Sequence, residues 1–266
     1  MLIAMLHLPP LEVYKDLNRS QRESITIILQ NNLRTLQDAG FKHIMIENNY
    51  DIRKTQYLGS KLKVLIELIH NITDGLIRTD TKYGICTRWC DLMAYKKLLT
   101  MELFSFARIP VAGAKVQTRH GDFVNVTYQD IIELKSSISS QTKLAIDLMP
   151  KNCNHIEYES STYTDRIQSL LSNGADYIVI GEKKSAEFYD IGQEINKLQK
   201  INFDLSKVVL AGSVVPQIIQ AWSGIIENYV VGGWLYQQNI SLASVKYPLI
   251  IGEKQTVDLL SSMNSV

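Results

Sequence analysis

The chain predicts an α/β fold, a single (β/α)8 TIM barrel over residues 1–266, on three observations. Eight short apolar runs recur evenly from Leu2 to Gly233, each is followed by a stretch with helical periodicity, and 266 residues is close to the ~250 typical of such barrels. Runs that are apolar throughout imply strands buried on both faces, as in a parallel sheet covered by helices. An open doubly wound sheet uses the same pieces, but the strand count favours the closed barrel.

The first run, Leu2–Leu8 (LIAMLHL), is of strand length, and in Ser20–Asp38 apolar residues recur three and four apart, as a surface helix requires. Asp38-Ala39-Gly40 ends that helix with a residue tolerant of left-handed geometry, just before the second run, His43–Asn48 (HIMIEN). Helical spacing over Gln56–Ile72 leads to the third run, Tyr83–Arg88 (YGICTR), and over Asp91–Leu103 to the fourth, Phe104–Val111 (FSFARIPV). Tyr128–Ile138 precedes the fifth, Lys143–Met149 (KLAIDLM). Tyr163–Ser172 and the turn Asn173-Gly174-Ala175 precede the sixth, Asp176–Gly181 (DYIVIG). Ser185–Leu198 leads to the seventh, Val208–Gly212 (VVLAG), and the eighth is Asn228–Gly233 (NYVVGG).

With 45% hydrophobic and 21% charged residues and a formal net charge of +1, the composition gives no reason to invoke nucleic acid or an anionic membrane. The longest apolar stretch, around Val208–Trp222, is broken by Pro216 and Gln217 and falls short of the ~18 residues of a membrane span. No basic region precedes the first run, so no secretory leader is expected. Three cysteines, Cys86, Cys90 and Cys153, form an odd and sparse set that points to a reducing cytoplasm. Cys86 and Cys90 lack the tight CxxC spacing and a nearby fourth ligand, so the thiols are expected in the core, not on a metal.

In such a barrel the loops after the strands build the active site, so strand C-termini carry the functional information. Here they contain His7, Glu47 and Asn48, Arg88, Arg108 with Lys115, Asp147 with Lys151, Glu182 with Lys183, Gly212-Ser213 and Gly232-Gly233. Charges at the ends of apolar strands are costly to bury unless paired or met by a ligand. Mutual pairing, for example of Glu47 with Arg88, is the plain alternative to a chemical role. Leu210-Ala211-Gly212-Ser213 and Val230-Val231-Gly232-Gly233 both end in small residues, which lets backbone N–H groups approach an anion. Helical segments following them are expected to add their N-terminal dipoles to such a phosphate site.

Met5-Leu6-His7-Leu8-Pro9-Pro10-Leu11 resembles the MIHLPPL opening of the BtpA/SgcQ family, whose members are related to the ribulose-phosphate-binding barrels. Ile44-Met45-Ile46-Glu47-Asn48 is similar to that family's second-strand VEN segment, Asp176–Ile180 to its sixth strand and Leu210–Val214 to its phosphate loop, so the resemblance runs nearly end to end. Several positions depart from it. Arg88-Trp89-Cys90 stands for Arg-Asn-Asp, with Asp91 one place later, and Asp147-Leu148-Met149-Pro150-Lys151-Asn152 lacks the two histidines of Asp-Val-His-Val-Lys-His. Thr118-Arg119-His120-Gly121 lacks the carboxylate of Thr-Asp-x-Gly, and Gly232-Gly233-Trp234 replaces a Gly-Thr-Ser type sequence.

The resemblance implies an enzyme acting on a small phosphorylated metabolite, a sugar phosphate or nucleotide-like compound, by isomerase, lyase or glycosyl-transfer chemistry. On that reading Asp147 or Glu47 is the base, Lys151 its electrostatic partner and His7 a further proton carrier. Arg88, Asn48, Gly212, Ser213, Gly232 and Gly233 bind the anion. No cofactor is called for, though Glu47 and Asp147 are compatible with a divalent ion such as Mg2+. The rewritten strand ends also fit a catalytically degenerate barrel serving as an assembly or regulatory factor, as the family's association with photosystem I biogenesis implies. A subunit of a homo- or hetero-oligomer fits as well.

Overall fold

The computed structural model describes residues 1–48, 57–88, 90–118, 121–150, 153–181, 191–212, 214–242 and 245–264. In chain order these form β1 (Leu2–His7), α1 (Leu11–Asp16), α2 (Arg19–Asp38), β2 (His43–Glu47), α3 (Lys61–Thr73), β3 (Lys82–Cys86), α4 (Leu92–Leu99) and β4 (Phe104–Ile109). There follow β5 (Ala114–Thr118), β6 (Phe123–Val126), α5 (Tyr128–Ser137), β7 (Lys143–Asp147), β8 (Cys153–Tyr158), α6 (Tyr163–Ser172), β9 (Tyr177–Gly181) and α7 (Ile191–Lys200). The last are β10 (Val208–Ala211), α8 (Pro216–Trp222), β11 (Asn228–Val231), β12 (Tyr236–Leu242), β13 (Val245–Ile251) and α9 (Glu253–Asn264).

Eight strands close into a parallel barrel in the order β1-β11-β10-β9-β7-β4-β3-β2, and each lies within one of the eight apolar runs except β3, which starts one residue early at Lys82. Successive side chains on a strand point to opposite faces. One set, including Ile3, Met5, Met45, Cys86, Phe106, Val179, Val209 and Val230, packs inside the barrel. The other, including Ala4, Leu6, Ile44, Ile46, Ile85, Ile146, Ile178, Leu210 and Tyr229, packs outward in the larger core shared with the helices. Both faces are apolar, which is why the runs read as continuous. Helix signals hold as well: Asn18 and Gln21 form a capping box at the start of α2. Gly40 (φ +98°) and Gly174 (φ +111°) take the left-handed geometry expected after α2 and α6.

Two additions depart from the plain barrel. The segments after β4 and β7, expected to be loops, form a three-stranded antiparallel sheet in the order β6-β5-β8. After β11, where a helix was expected, the chain makes one 3-10 turn at Gly233–Leu235 and enters the β12–β13 hairpin. Among the described residues no helix is long and apolar enough to cross a membrane.

At the N-terminal end of the barrel His43 sits opposite Lys82 in the β2–β3 register, with its ring 6.1 Å from that of Phe106. Burial, with help from the charges of Lys82 and the chain's amino terminus, lowers its pKa to about 4. The unfolded chain therefore takes up this proton below ~6.5 while the folded one resists it until about 4, so stability falls as pH drops through that window. With the ring partly exposed, the loss expected between pH 7 and pH 5 is about 1 kcal/mol. Urea unfolding of wild type and His43→Gln at both pH values checks it. The variant should lose less by that amount, and an equal loss in both proteins would exclude His43 as the source.

Candidate functional site

The C-terminal end of the barrel has two unlike halves. On β1, β2, β3, β4 and β7 the inward positions nearest the mouth are His7, Glu47, Cys86 with Arg88 beyond it, Arg108 and Asp147, and their side chains are almost wholly buried. Parallel register sets His7 opposite Glu47 and Glu47 opposite Cys86. Glu47 Oε1 accepts from Arg88 Nε at 3.2 Å and from the Cys86 thiol at 3.4 Å, while Glu47 Oε2 lies 3.3 Å from His7 Nδ1. Asn48 Oδ1 accepts the backbone N–H of Arg88 at 2.9 Å and so fixes where this arginine leaves the strand. Asp147 is closed on Arg108, with Nε donating to Oδ1 at 2.8 Å and Nη2 to Oδ2 at 2.9 Å. Fork-to-fork pairing of this kind is the strongest form of ion pair available to a carboxylate.

The protonation states follow from these neighbours. Burial alone would raise the Glu47 carboxyl, but Arg88, His7 and Arg108 outweigh it and hold Glu47 below the usual carboxylate range. Burial likewise opposes the charge on Arg108, and Asp147 overcomes it, so this guanidinium holds its proton more tightly than a free one. The Cys86 thiol is pushed up, first by burial and then by Glu47, and stays protonated. Glu47 with Arg88 and Asp147 with Arg108 thus stand as two carboxyl–guanidinium pairs at this end of the barrel.

The other half, on β9, β10 and β11, ends in residues with little or no side chain: Gly181, Ala211-Gly212 and Gly232-Gly233. Gly212 and Gly233 are exposed, and Gly181 and Gly232 are half-buried. Gly212 has φ +90°, a geometry that strains any side chain. Gly232 faces the charged half: a Cβ there would lie 3.2 Å from His7 Nε2 and 3.1 Å from Met5 Sδ. The imidazole therefore spans the two halves, Nδ1 toward Glu47 and Nε2 toward the glycines.

Of the residues singled out in the sequence, His7, Glu47, Asn48 and Arg88 come together as one group, and Asp147 joins a second pair beside it. Arg108, named at a strand end but given no role, is the partner of Asp147. Its companion Lys115 lies instead on the exposed face of β5, 5.3 Å from the Phe123 ring. Asp91 is buried as the N-cap of α4 and also accepts the Leu58 N–H at 2.8 Å, so it is a structural carboxylate. Cys86 and Cys90 are buried as expected. Trp89, Arg119, His120, Lys151, Asn152, Glu182, Lys183 and Ser213 lie outside the described residues. Glu47 and Asp147 do not fit a divalent cation, since each faces a guanidinium, and among the described residues no group of three or more His, Cys, Asp or Glu is placed to hold a metal ion. The expected helix dipole after the eighth barrel strand is also missing, because the 3-10 turn after Gly232 leads into a hairpin.

One residue without a sequence signal braces the rim. Arg166 of α6 is buried and donates to three backbone carbonyls: Leu148 after β7, and Gly113 and Ala112 after β4, the last two at 3.1 and 3.0 Å. Its guanidinium also lies 4.1 Å from the Tyr158 ring centroid on β8.

No protein family and no curated protein matches the sequence, and the BtpA/SgcQ resemblance rests on its motifs alone. Solved structures do match in fold. Dihydropteroate synthase from Anaplasma phagocytophilum, with bound 6-hydroxymethylpterin-monophosphate, aligns with TM-score 0.59 at 12% identity over 100% of this chain and 98% of that one. KGPDC from Streptococcus mutans gives 0.56 at 11% over 100% and 97%. Phosphoribosyl anthranilate isomerase from Thermus thermophilus gives 0.55 at 10% over 100% and 99%. At these identities the likeness shows the TIM-barrel fold.

Proposed function

We propose that the protein binds a small phosphorylated metabolite, a sugar phosphate or nucleotide-like compound, at the C-terminal face of the barrel. The observation that carries this reading is the solvent-reachable glycine backbone of β10 and β11 set against a buried cluster of carboxyl–guanidinium pairs. Gly212, Ser213, Gly232 and Gly233 take the phosphate on backbone N–H groups, and Arg88, held by Asn48, helps position the anion. The Anaplasma synthase, which shares the fold, is itself bound to a phosphate-bearing ligand.

If the ligand is turned over, by isomerase, lyase or glycosyl-transfer chemistry, the geometry favours His7 as the group that moves a proton. Its Nε2 faces the glycine half, and Glu47 at Nδ1 balances the imidazolium that forms. Asp147 serves by holding Arg108, and Lys151, four residues along the chain, is the cation assigned to the substrate's charge. A barrel that binds without turnover is the second reading. It is favoured by one observation: Asp147 has both oxygens committed to Arg108.

Ligand at ~100 times its Kd stabilises the native state by about 2.7 kcal/mol, so ribose 5-phosphate should raise the melting temperature by roughly 5–8 °C. Ribose should leave it unchanged, and Gly212→Ala should shrink the rise. An equal rise with ribose, or none with a panel of phosphorylated sugars and nucleotides, would sink the proposal. Product analysis on the ligands that bind separates turnover from binding alone.

A further inference from the structure

The ladder between β1 and β11 ends at Ala4 opposite Val231, whereas that between β1 and β2 continues to His7 opposite Glu47. The far end of β1 thus outruns its neighbour on one side. Leu8 N–H points to β2, where it donates to the Glu47 carbonyl at 2.8 Å. By strand alternation, the His7 N–H and the Met5 carbonyl point to the side that β11 has vacated. Tyr236 fills that place. Its phenol oxygen accepts the His7 N–H at 2.8 Å and donates to the Met5 carbonyl at 3.1 Å, making the pair of bonds a strand would have made. The half-buried ring also lies 5.3 Å from the imidazole of His7, tilted by 32°, and so limits how that ring can turn.

Tyr236 is the first residue of β12, where its backbone pairs with Ile251 of β13. The residue after Ile251 is tied back as well, since Gly252 N–H donates to the Leu235 carbonyl at 2.9 Å. The hairpin therefore holds the tyrosine from one side while the tyrosine holds β1 from the other.

We propose that Tyr236 is the positioning residue for His7, orienting Nδ1 to Glu47 and Nε2 to Gly232, and that the β12–β13 hairpin is thereby a working part of the site. The value of that orientation rests on the reading of His7 as the proton carrier. The orientation itself does not, and is measurable in the ligand-free protein.

The test is nitrogen-15 NMR of the His7 ring in the full chain, for wild type, Tyr236→Phe and Tyr236→Leu. Wild type should show one tautomer, with the Nδ1 proton in slow exchange against Glu47. Tyr236→Phe keeps the ring but loses the bridge, and should speed exchange of that proton at least threefold. Tyr236→Leu loses both, and should speed it more than tenfold with both tautomers present. If Tyr236→Leu does not fold, the phenylalanine variant decides. A wild-type His7 spectrum in folded Tyr236→Phe and Tyr236→Leu, or in Tyr236→Phe alone where leucine is not tolerated, would overturn the proposal. Adding ribose 5-phosphate to wild type is read separately. If it leaves His7 unmoved, the functional reading of His7 fails while the tyrosine's hold on the ring stands on its own result.

Discussion

Replacing Asp147 with leucine should destabilise the protein by about 3–5 kcal/mol, a fall of roughly 10 °C in melting temperature. The reason lies in the residue left behind. Arg108 is buried, and a guanidinium keeps its proton at any ordinary pH, so it cannot escape by deprotonating. Without Asp147 its charge remains inside the barrel with its two short hydrogen bonds gone. The double variant Arg108→Met with Asp147→Leu removes both charges and should recover most of the loss, because a buried ion pair is of little net benefit over apolar residues of similar size. Chemical denaturation of the two single variants and the double variant measures the coupling. A loss below about 1 kcal/mol in Asp147→Leu alone would mean that Arg108 finds another partner, and that the two halves of the cluster are not separate pairs.

Arg166→Met should cost about 3–4 kcal/mol, since three carbonyls near the rim lose a charged donor and the Tyr158 ring loses its cation. The damage should be local. Amide hydrogen exchange should quicken in β5 and β8, whose roots Arg166 ties together, and not in β1 or β2 across the barrel. Arg166→Lys should restore little of this, because one ammonium on a flexible stem cannot serve three carbonyls in the plane of a guanidinium. Exchange rates that rise evenly over the barrel would show instead that Arg166 supports the core as a whole.

The barrel was legible because both faces of each of its strands are apolar, so every strand stands out as a continuous run. The three-stranded annex was harder to see because it is half-exposed. Val124 and Val126 on β6 alternate with exposed Phe123 and Asn125, and Lys115 and Gln117 on β5 alternate with buried Ala114, Val116 and Thr118. A period-of-two signal was present there, but a stretch of four or five residues beside Gly121 reads as loop chemistry. Within the site, Glu47 with Arg88 was readable as a pair from their places on the second and third runs. Arg108 and Asp147 stand on the fourth and fifth runs, whose strands also adjoin in the barrel, but each has a nearer charged companion in the sequence, Lys115 and Lys151, which obscures the pairing. Arg166 was not legible, because an arginine inside an amphipathic helix has no pattern that separates a buried clamp from a solvated face. Tyr236 was missed for a similar reason: its role depends on where the β1–β11 ladder stops, which no residue in the sequence marks.

The proposal of a phosphate site on the glycine half of the mouth is tested most directly by backbone amide NMR during titration with ribose 5-phosphate and, in parallel, ribose. The expected result is saturable movement of the Gly212, Gly232 and Gly233 amides with the phosphorylated sugar and none with the other. Shifts confined to the outer groove between α2 and α3, around Tyr14, Arg22 and Asn71, or the same response to both sugars, would contradict it.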